Sequence, residues 1–80
     1  MASKVRFVFS GKFRGDAFIE FARDRAARLD LALEIGAASD QAVAMTVRGE
    51  ADLIDAFEMA CSLGPFDSLI LQIGRSNSEA

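Results

Sequence analysis

The spacing of hydrophobic residues along this 80-residue chain switches between two periods in a fixed order. Apolar residues at alternate positions, or a short apolar run, are typical of strands, and apolar residues three and four positions apart are typical of helices. The segments follow one another as strand, helix, strand, strand, helix, strand. This order predicts an α+β fold, the ferredoxin-like split βαβ arrangement (βαββαβ), in which two helices cover one face of a four-stranded antiparallel sheet.

The boundaries of these segments follow from turn residues and from the ends of each periodic pattern. The predicted strands are Lys4 to Ser10, Leu31 to Ile35, Ala42 to Arg48 and Leu69 to Ile73, and the predicted helices run from Asp16 to about Leu31 and from Gly49 to Leu63. A turn is expected over Gly36 to Gln41. No linker or repeat divides the chain, so residues 1–80 are expected to form a single domain in which residues 75–80 are a flexible tail.

Composition and charge exclude several classes of function. The formal net charge is -3, which argues against non-specific binding to nucleic acid, and no apolar run is long enough to cross a membrane. The N-terminal residues contain no apolar signal region, so a cytoplasmic location is expected. The chain has no histidine and one cysteine, Cys61, which is expected to be a buried hydrophobic residue; neither a metal nor another cofactor is expected.

A glycine-bracketed loop between the first strand and the first helix is the candidate site. Its residues are Gly11, Lys12, Phe13, Arg14, Gly15, Asp16, Ala17 and Phe18, followed by Ile19. Such a loop can bind an anion, because backbone N–H groups and the positive end of the helix converge on one point. However, Asp16 places a carboxylate where an anion would bind. We expect Asp16 to cap the helix N-terminus, with a new functional carboxylate as the alternative.

The loop resembles the Gly-x-Val-Gln-Gly-Val-x-Phe-Arg motif of the acylphosphatase family. Gly11, Gly15 and Phe18 fall in register with the motif without a gap. The helix that follows, the hairpin strand from Val43 to Gly49 and the closing Gly64-Pro65 also fit, so that the resemblance covers nearly the whole chain. It implies the acylphosphatase form of the ferredoxin-like fold, and hydrolysis of carboxyl-phosphate anhydrides by water without a metal or a covalent intermediate.

The resemblance fails at the two residues that carry the family's chemistry. The arginine that binds phosphate aligns with Ile19, and the asparagine that positions the attacking water aligns with Ala37. Shifting the second alignment by one gives Gly36 or Ala38, neither of which has a side-chain amide. The resemblance therefore implies an acylphosphatase-like protein that is catalytically weak or inactive.

Three other hypotheses remain open from the sequence. An active acylphosphatase would need Arg14, Lys12 or Arg23 as a substitute cation. The loop would otherwise bind a small anion or a phosphate-containing ligand. A protein partner or a second copy of the chain would instead bind at an edge strand or at the open sheet face, whose expected residues are Arg6, Val8, Ala44, Thr46, Arg48 and Ile70 or Gln72.

Overall fold

The computed structural model describes residues 2–65 and 68–77 and confirms the predicted order of elements. The elements are β1 (Ser3–Lys12), α1 (Gly15–Arg28), β2 (Ala32–Ala38), β3 (Ala42–Gly49), α2 (Ala51–Leu63) and β4 (Leu69–Asn77). The strands form one antiparallel sheet in the order β2-β3-β1-β4. The two central strands and both helices contribute to one core, so both helices lie on the same face, as the ferredoxin-like fold requires.

Phenylalanine rings form the centre of the core between the sheet and the helices. Phe7 and Phe9 on β1 are fully buried, with their ring centroids 5.4 Å apart. Phe57 of α2 lies 6.1 Å from Phe7, and Phe18 of α1 lies 5.3 Å from Phe9. Phe13 stacks on Phe18 at 4.9 Å. Aromatic contacts at these distances add to the free energy of apolar burial, and here they join β1 to both helices and to the candidate loop.

The first helix is shorter at its C-terminus than the sequence pattern predicts. It ends at Arg28 rather than near Leu31, because Asp30 adopts a left-handed conformation with a φ of 58°. Aspartate tolerates this conformation better than most residues. The N–H of Leu31 then donates to the carbonyl of Ala26 at 2.8 Å, and Leu31 is buried as the chain turns into β2.

The hairpin turn is shorter than expected and β2 is longer. The strand continues past Ile35 to Ala38, which pairs with Val43 of β3 after an irregularity in register. The turn is reduced to three residues because the Ser39 hydroxyl accepts hydrogen bonds from the N–H groups of Gln41 and Ala42, each at 3.1 Å. A serine that satisfies turn amides in this way allows the strands to continue almost to the turn.

The prediction of a flexible tail from residue 75 is wrong for its first three residues. Residues 75–77 belong to β4 and pair with residues 5–7 of β1. The strand extends this far because β1 begins at Ser3 and offers a partner, and because Arg75 lies over the ring of Phe7 at 5.5 Å. The remaining residues of the predicted tail, 78–80, lie outside the described part of the chain.

Candidate functional site

The candidate loop is anchored to the β2–β3 turn by backbone hydrogen bonds. The N–H of Gly11 donates to the carbonyl of Gln41 at 2.9 Å, and the N–H of Phe13 donates to the carbonyl of Asp40 at 3.2 Å. Gly11 and Lys12 are the last residues of β1 and also pair with β4. The loop is therefore held from two sides, by the turn and by the edge strand.

The two loop glycines are required by close contacts with other parts of the backbone. A Cβ atom on Gly11 would lie 2.0 Å from the carbonyl oxygen of Leu69. A Cβ atom on Gly15 would lie 2.7 Å from the carbonyl oxygen of Ser39. Real Cβ atoms do not approach backbone oxygens so closely, and neither carbonyl can move without disturbing a strand or a turn. Packing alone thus explains both glycines of the motif.

Asp16 is not the N-cap residue of the first helix, so that part of the prediction is wrong, although its side chain does accept from a first-turn N–H group. The N-cap residue is Arg14, which makes no side-chain capping hydrogen bond, and the helix begins at Gly15. Asp16 lies within the first turn, where its Oδ1 accepts from the N–H of Ala17 at 2.8 Å. Its negative charge still lies near the positive end of the helix dipole, where a carboxylate is stabilising.

Asp40 supplies the missing cap from the β2–β3 turn. Its Oδ1 accepts a hydrogen bond from the N–H of Gly15 at 2.8 Å, across 25 residues of sequence. A carboxylate of the protein itself is thus bound where the sequence predicted an anion-binding group. Sequence reasoning missed Asp40, because an aspartate in a polar turn is ordinary and only the tertiary contact between turn and loop brings it to the helix.

The two positions that the motif resemblance matches to functional residues of acylphosphatases carry only hydrocarbon side chains. Ile19 is half-buried on α1 and packs against the core. Ala37 is exposed on β2, in the irregular stretch between Ile35 and Ala38. An isoleucine and an alanine side chain offer no hydrogen-bond donor to a phosphate or to a water molecule.

The candidate substitute cations are all exposed. A guanidinium nitrogen of Arg14 lies 4.0 Å from Oδ2 of Asp16, and both side chains are at least three-quarters exposed. Lys12 is exposed at the end of β1, and Arg23 is exposed on α1 one turn beyond Ile19. The structure therefore brings Arg14 to a carboxylate of the loop rather than to a free anion site. An exposed ion pair of this length contributes little to stability.

Within residues 2–65 and 68–77, no group of three His, Cys, Asp or Glu side chains is placed to hold a metal ion. Cys61 is fully buried, and burial raises the pKa of its thiol to about 12, although the positive charge of Arg25 opposes part of this shift. A thiol with this pKa is not a nucleophile at neutral pH. Among the described residues, neither helix is long and apolar enough to cross a membrane.

Comparison with known proteins finds similarity in structure. No protein-family model matches the chain, and no curated protein matches its sequence. The acylphosphatase from Coxiella burnetii superposes with a TM-score of 0.88 at 23% identity, covering 98% of this chain and 82% of that one. The acylphosphatase from Bacillus subtilis gives 0.88 at 22% identity, covering 100% and 88%. Full-length HypF, in a phosphate- and nucleotide-bound form, gives 0.84 at 20% identity, covering 100% of this chain and 11% of HypF. The chain therefore has an acylphosphatase-like fold.

Proposed function

We propose that this chain is an acylphosphatase-like protein that hydrolyses acyl phosphates weakly or not at all and acts as a binding module. The observation that carries the proposal is the hydrogen bond from the N–H of Gly15 to the Asp40 carboxylate. The loop N–H group at the start of α1 is already bound to an anion, and that anion belongs to the protein. A phosphate at this point would have to displace it.

Electrostatics opposes such a displacement. Asp40 and Asp16 both carry carboxylates at the N-terminal end of α1. A negative charge about 5 Å from a bound phosphate costs roughly 3 kcal/mol per unit charge at an effective dielectric constant near 20. Arg14 does not offset both carboxylates, because it is exposed and at the limit of ion-pair distance from Asp16. These charges support the proposal that the loop binds phosphate weakly.

The apolar residues at the aligned positions support the same proposal. Removing one preorganised donor from an active site typically lowers the rate by about 10²–10³. By the resemblance to acylphosphatases, this chain lacks two such groups, since Ile19 stands for a guanidinium and Ala37 for an amide. Ile19 also packs against the core, so its side chain contributes to packing.

Hydrolysis of benzoyl phosphate tests the proposal. We expect the wild-type protein to give a rate close to that of buffer. We expect the double variant I19R/A37N to exceed wild type by about 100-fold, because each substitution supplies a donor of the kind that stabilises a transition state. The double variant I19L/A37V keeps both side chains apolar and is the matched control, which should stay at the wild-type rate.

The alternative, an active enzyme with a substitute cation, is tested in the same assay. The variants K12A, R14A and R23A remove the three candidate cations one at a time. Wild-type turnover well above the buffer rate, abolished by one of these substitutions, would contradict the proposal and identify the cation. Amide shifts of residues 11–19 during titration with inorganic phosphate test anion binding by the loop, and we expect them to stay unchanged at millimolar phosphate.

A further inference from the structure

The open face of the sheet, opposite the helices, carries a concentration of positive charge on a chain whose net charge is -3. Lys4 and Arg6 of β1 and Arg48 of β3 lie on this face, at positions that alternate with the buried residues of their strands. Glu34 of β2 is the acidic residue that the described part of this face presents beside them. We propose that this basic face binds an acidic, extended segment of a partner protein. The proposal goes beyond the proposed function and uses a surface other than the loop.

The strand register places like charges next to each other. Lys4 is directly opposite Arg48 in the β1–β3 pair, and Arg6 is two residues further along the same face of β1. Like charges directly opposite each other on a sheet are destabilising. Among the described residues, none of the three cations lies within 4.0 Å of a carboxylate. A bound carboxylate would relieve this repulsion, so the face is complementary to negative charge.

The surface beside these cations has two adjacent hollows. One, of about 260 Å³, is lined by Lys4 and Arg48 among other residues. The other, of about 320 Å³, lies beside Arg6 and reaches the small residues Gly36 and Ala44. Both hollows are bordered by the directly paired residues Glu34 and Thr46. Small side chains on an open sheet allow the backbone of a partner to approach closely.

The spacing of the cations fits an extended polypeptide. Residues two apart on one strand are separated by roughly 6.6–6.8 Å, and their side chains point the same way. Lys4 and Arg6 have this relation. Glutamate or aspartate at alternate positions of an extended partner has the same separation, so two of its carboxylates can meet two cations of this chain.

Other occupants fit less well. Readers of single-stranded nucleic acid stack bases on aromatic side chains of the sheet, but Phe7 and Phe9 are fully buried on the opposite face. Nucleic acid carries a phosphate at every nucleotide and requires many cations for tight binding, whereas Lys4, Arg6 and Arg48 match only a few charges. Two copies of the chain meeting by their open faces would bring the same cations together, which opposes such a dimer.

Titration with a capped eight-residue peptide of alternating Glu and Thr, followed by backbone amide shifts, tests the proposal. The matched control peptide has Gln in place of each Glu. We expect the Glu peptide to shift the amides of residues 4–8, 32–36 and 44–48, to bind more weakly as salt is added, and to leave residues 11–19 unchanged. We expect the Gln peptide to cause no shifts.

Charge variants give effects of opposite sign. Arg6→Gln and Arg48→Gln should each weaken binding about fivefold, as expected for the loss of one ion pair worth about 1 kcal/mol. Glu34→Gln removes the competing acid and should strengthen binding by a similar factor. Arg28→Gln, on the exposed side of α1, is the matched control and should leave the affinity unchanged.

Several results would overturn the proposal. They are unshifted sheet amides, equal binding of the Gln peptide, or affinities that do not respond to the sheet variants. Binding of oligothymidylate or inorganic phosphate at the same residues as tightly as the Glu peptide would indicate a nucleic-acid or small-anion site instead. Self-association in sedimentation that Arg6→Gln abolishes would indicate that a second copy occupies the face. No step depends on hydrolysis, so this test fails or succeeds independently of the proposed function.

Discussion

Gly15 and Asp40 form the contact between the candidate loop and the β2–β3 turn. Gly15 is needed because the carbonyl of Ser39 passes too close for a Cβ atom, and its N–H is bound by the Asp40 carboxylate. Neither contact requires a phosphate. Packing explains this glycine, so its presence in the loop is not evidence of catalysis.

Substituting Gly15 tests this packing argument. We expect Gly15→Ala to lower the free energy of unfolding by about 1–3 kcal/mol, because the new methyl group would overlap a backbone carbonyl. Gly36→Ala is the control, since a Cβ atom there would be 3.5 Å or more from its neighbours. It should change stability by no more than about 0.5 kcal/mol. Urea unfolding measures both, and equal midpoints for the two variants would contradict the steric explanation.

Substituting Asp40 tests the cap. Asp40→Ala leaves the N–H of Gly15 without its side-chain acceptor at the start of α1, and we expect a loss of about 1 kcal/mol in unfolding free energy. Asp40→Asn keeps an oxygen acceptor and should lose less. Faster hydrogen exchange at Gly15 in Asp40→Ala than in Asp40→Asn would locate the effect at the cap. An Asp40→Ala protein as stable as wild type would show that the hydrogen bond contributes nothing.

At the scale of elements, Arg75 explains why β4 continues beyond the predicted strand. Its guanidinium forms ion pairs with Asp55, at 2.9 Å, and with Glu58, and lies over the ring of Phe7. These contacts tie the edge strand to α2. The hydrogen bond to Glu58, followed by the contact with Asp55, raises the pKa of Arg75 above its ordinary value although partial desolvation opposes this.

We expect Arg75→Ala to lower the unfolding free energy by about 1–2 kcal/mol. This sums two surface ion pairs of about 0.3–0.5 kcal/mol each and one cation–π contact of about 0.5–1 kcal/mol. Arg28→Ala is the matched control, since Arg28 pairs with Asp24 at 3.0 Å on an exposed helix face and should cost only about 0.3–0.5 kcal/mol. The difference between the variants should shrink at high salt. A difference that is absent at low salt would contradict the role given to Arg75.

Local patterns predicted the elements, and tertiary contacts decided their ends. Alternation in β1 and β3 and the apolar stripes of the helices depend on neighbours in sequence, so the order and the sheet could be predicted. The early end of α1 depends on the left-handed Asp30, and the length of β4 depends on Arg75 meeting α2. In the candidate site, the absence of donors at Ile19 could be predicted, whereas the role of Asp40 required the fold.

At the scale of the whole molecule, the reactivity of the Cys61 thiol measures how often the folded core opens. Its side chain, on α2, is fully buried in the core, where the described residues include no buried polar side chain. Iodoacetamide can reach the thiol only when this core opens. We therefore expect labelling at pH 8 to be slow in the folded protein and to become fast above the urea midpoint. Fast labelling without urea would show that α2 detaches locally.

The raised pKa of Cys61 also makes stability depend on pH. The thiol titrates near its ordinary value of 9.0 in the unfolded chain and near about 12 in the folded one. Because the pKa of the thiol is higher in the folded protein, its contribution to the unfolding free energy is complete below pH 9 and is lost as the pH rises from 9 towards 12.

Cys61→Ala removes this titration while leaving every lysine and arginine in place. Relative to this variant, wild type should lose up to about 1.4 kcal/mol per pH unit in that window. Parallel stability profiles for the two proteins between pH 9 and 11 would contradict a raised pKa of the thiol in the folded protein.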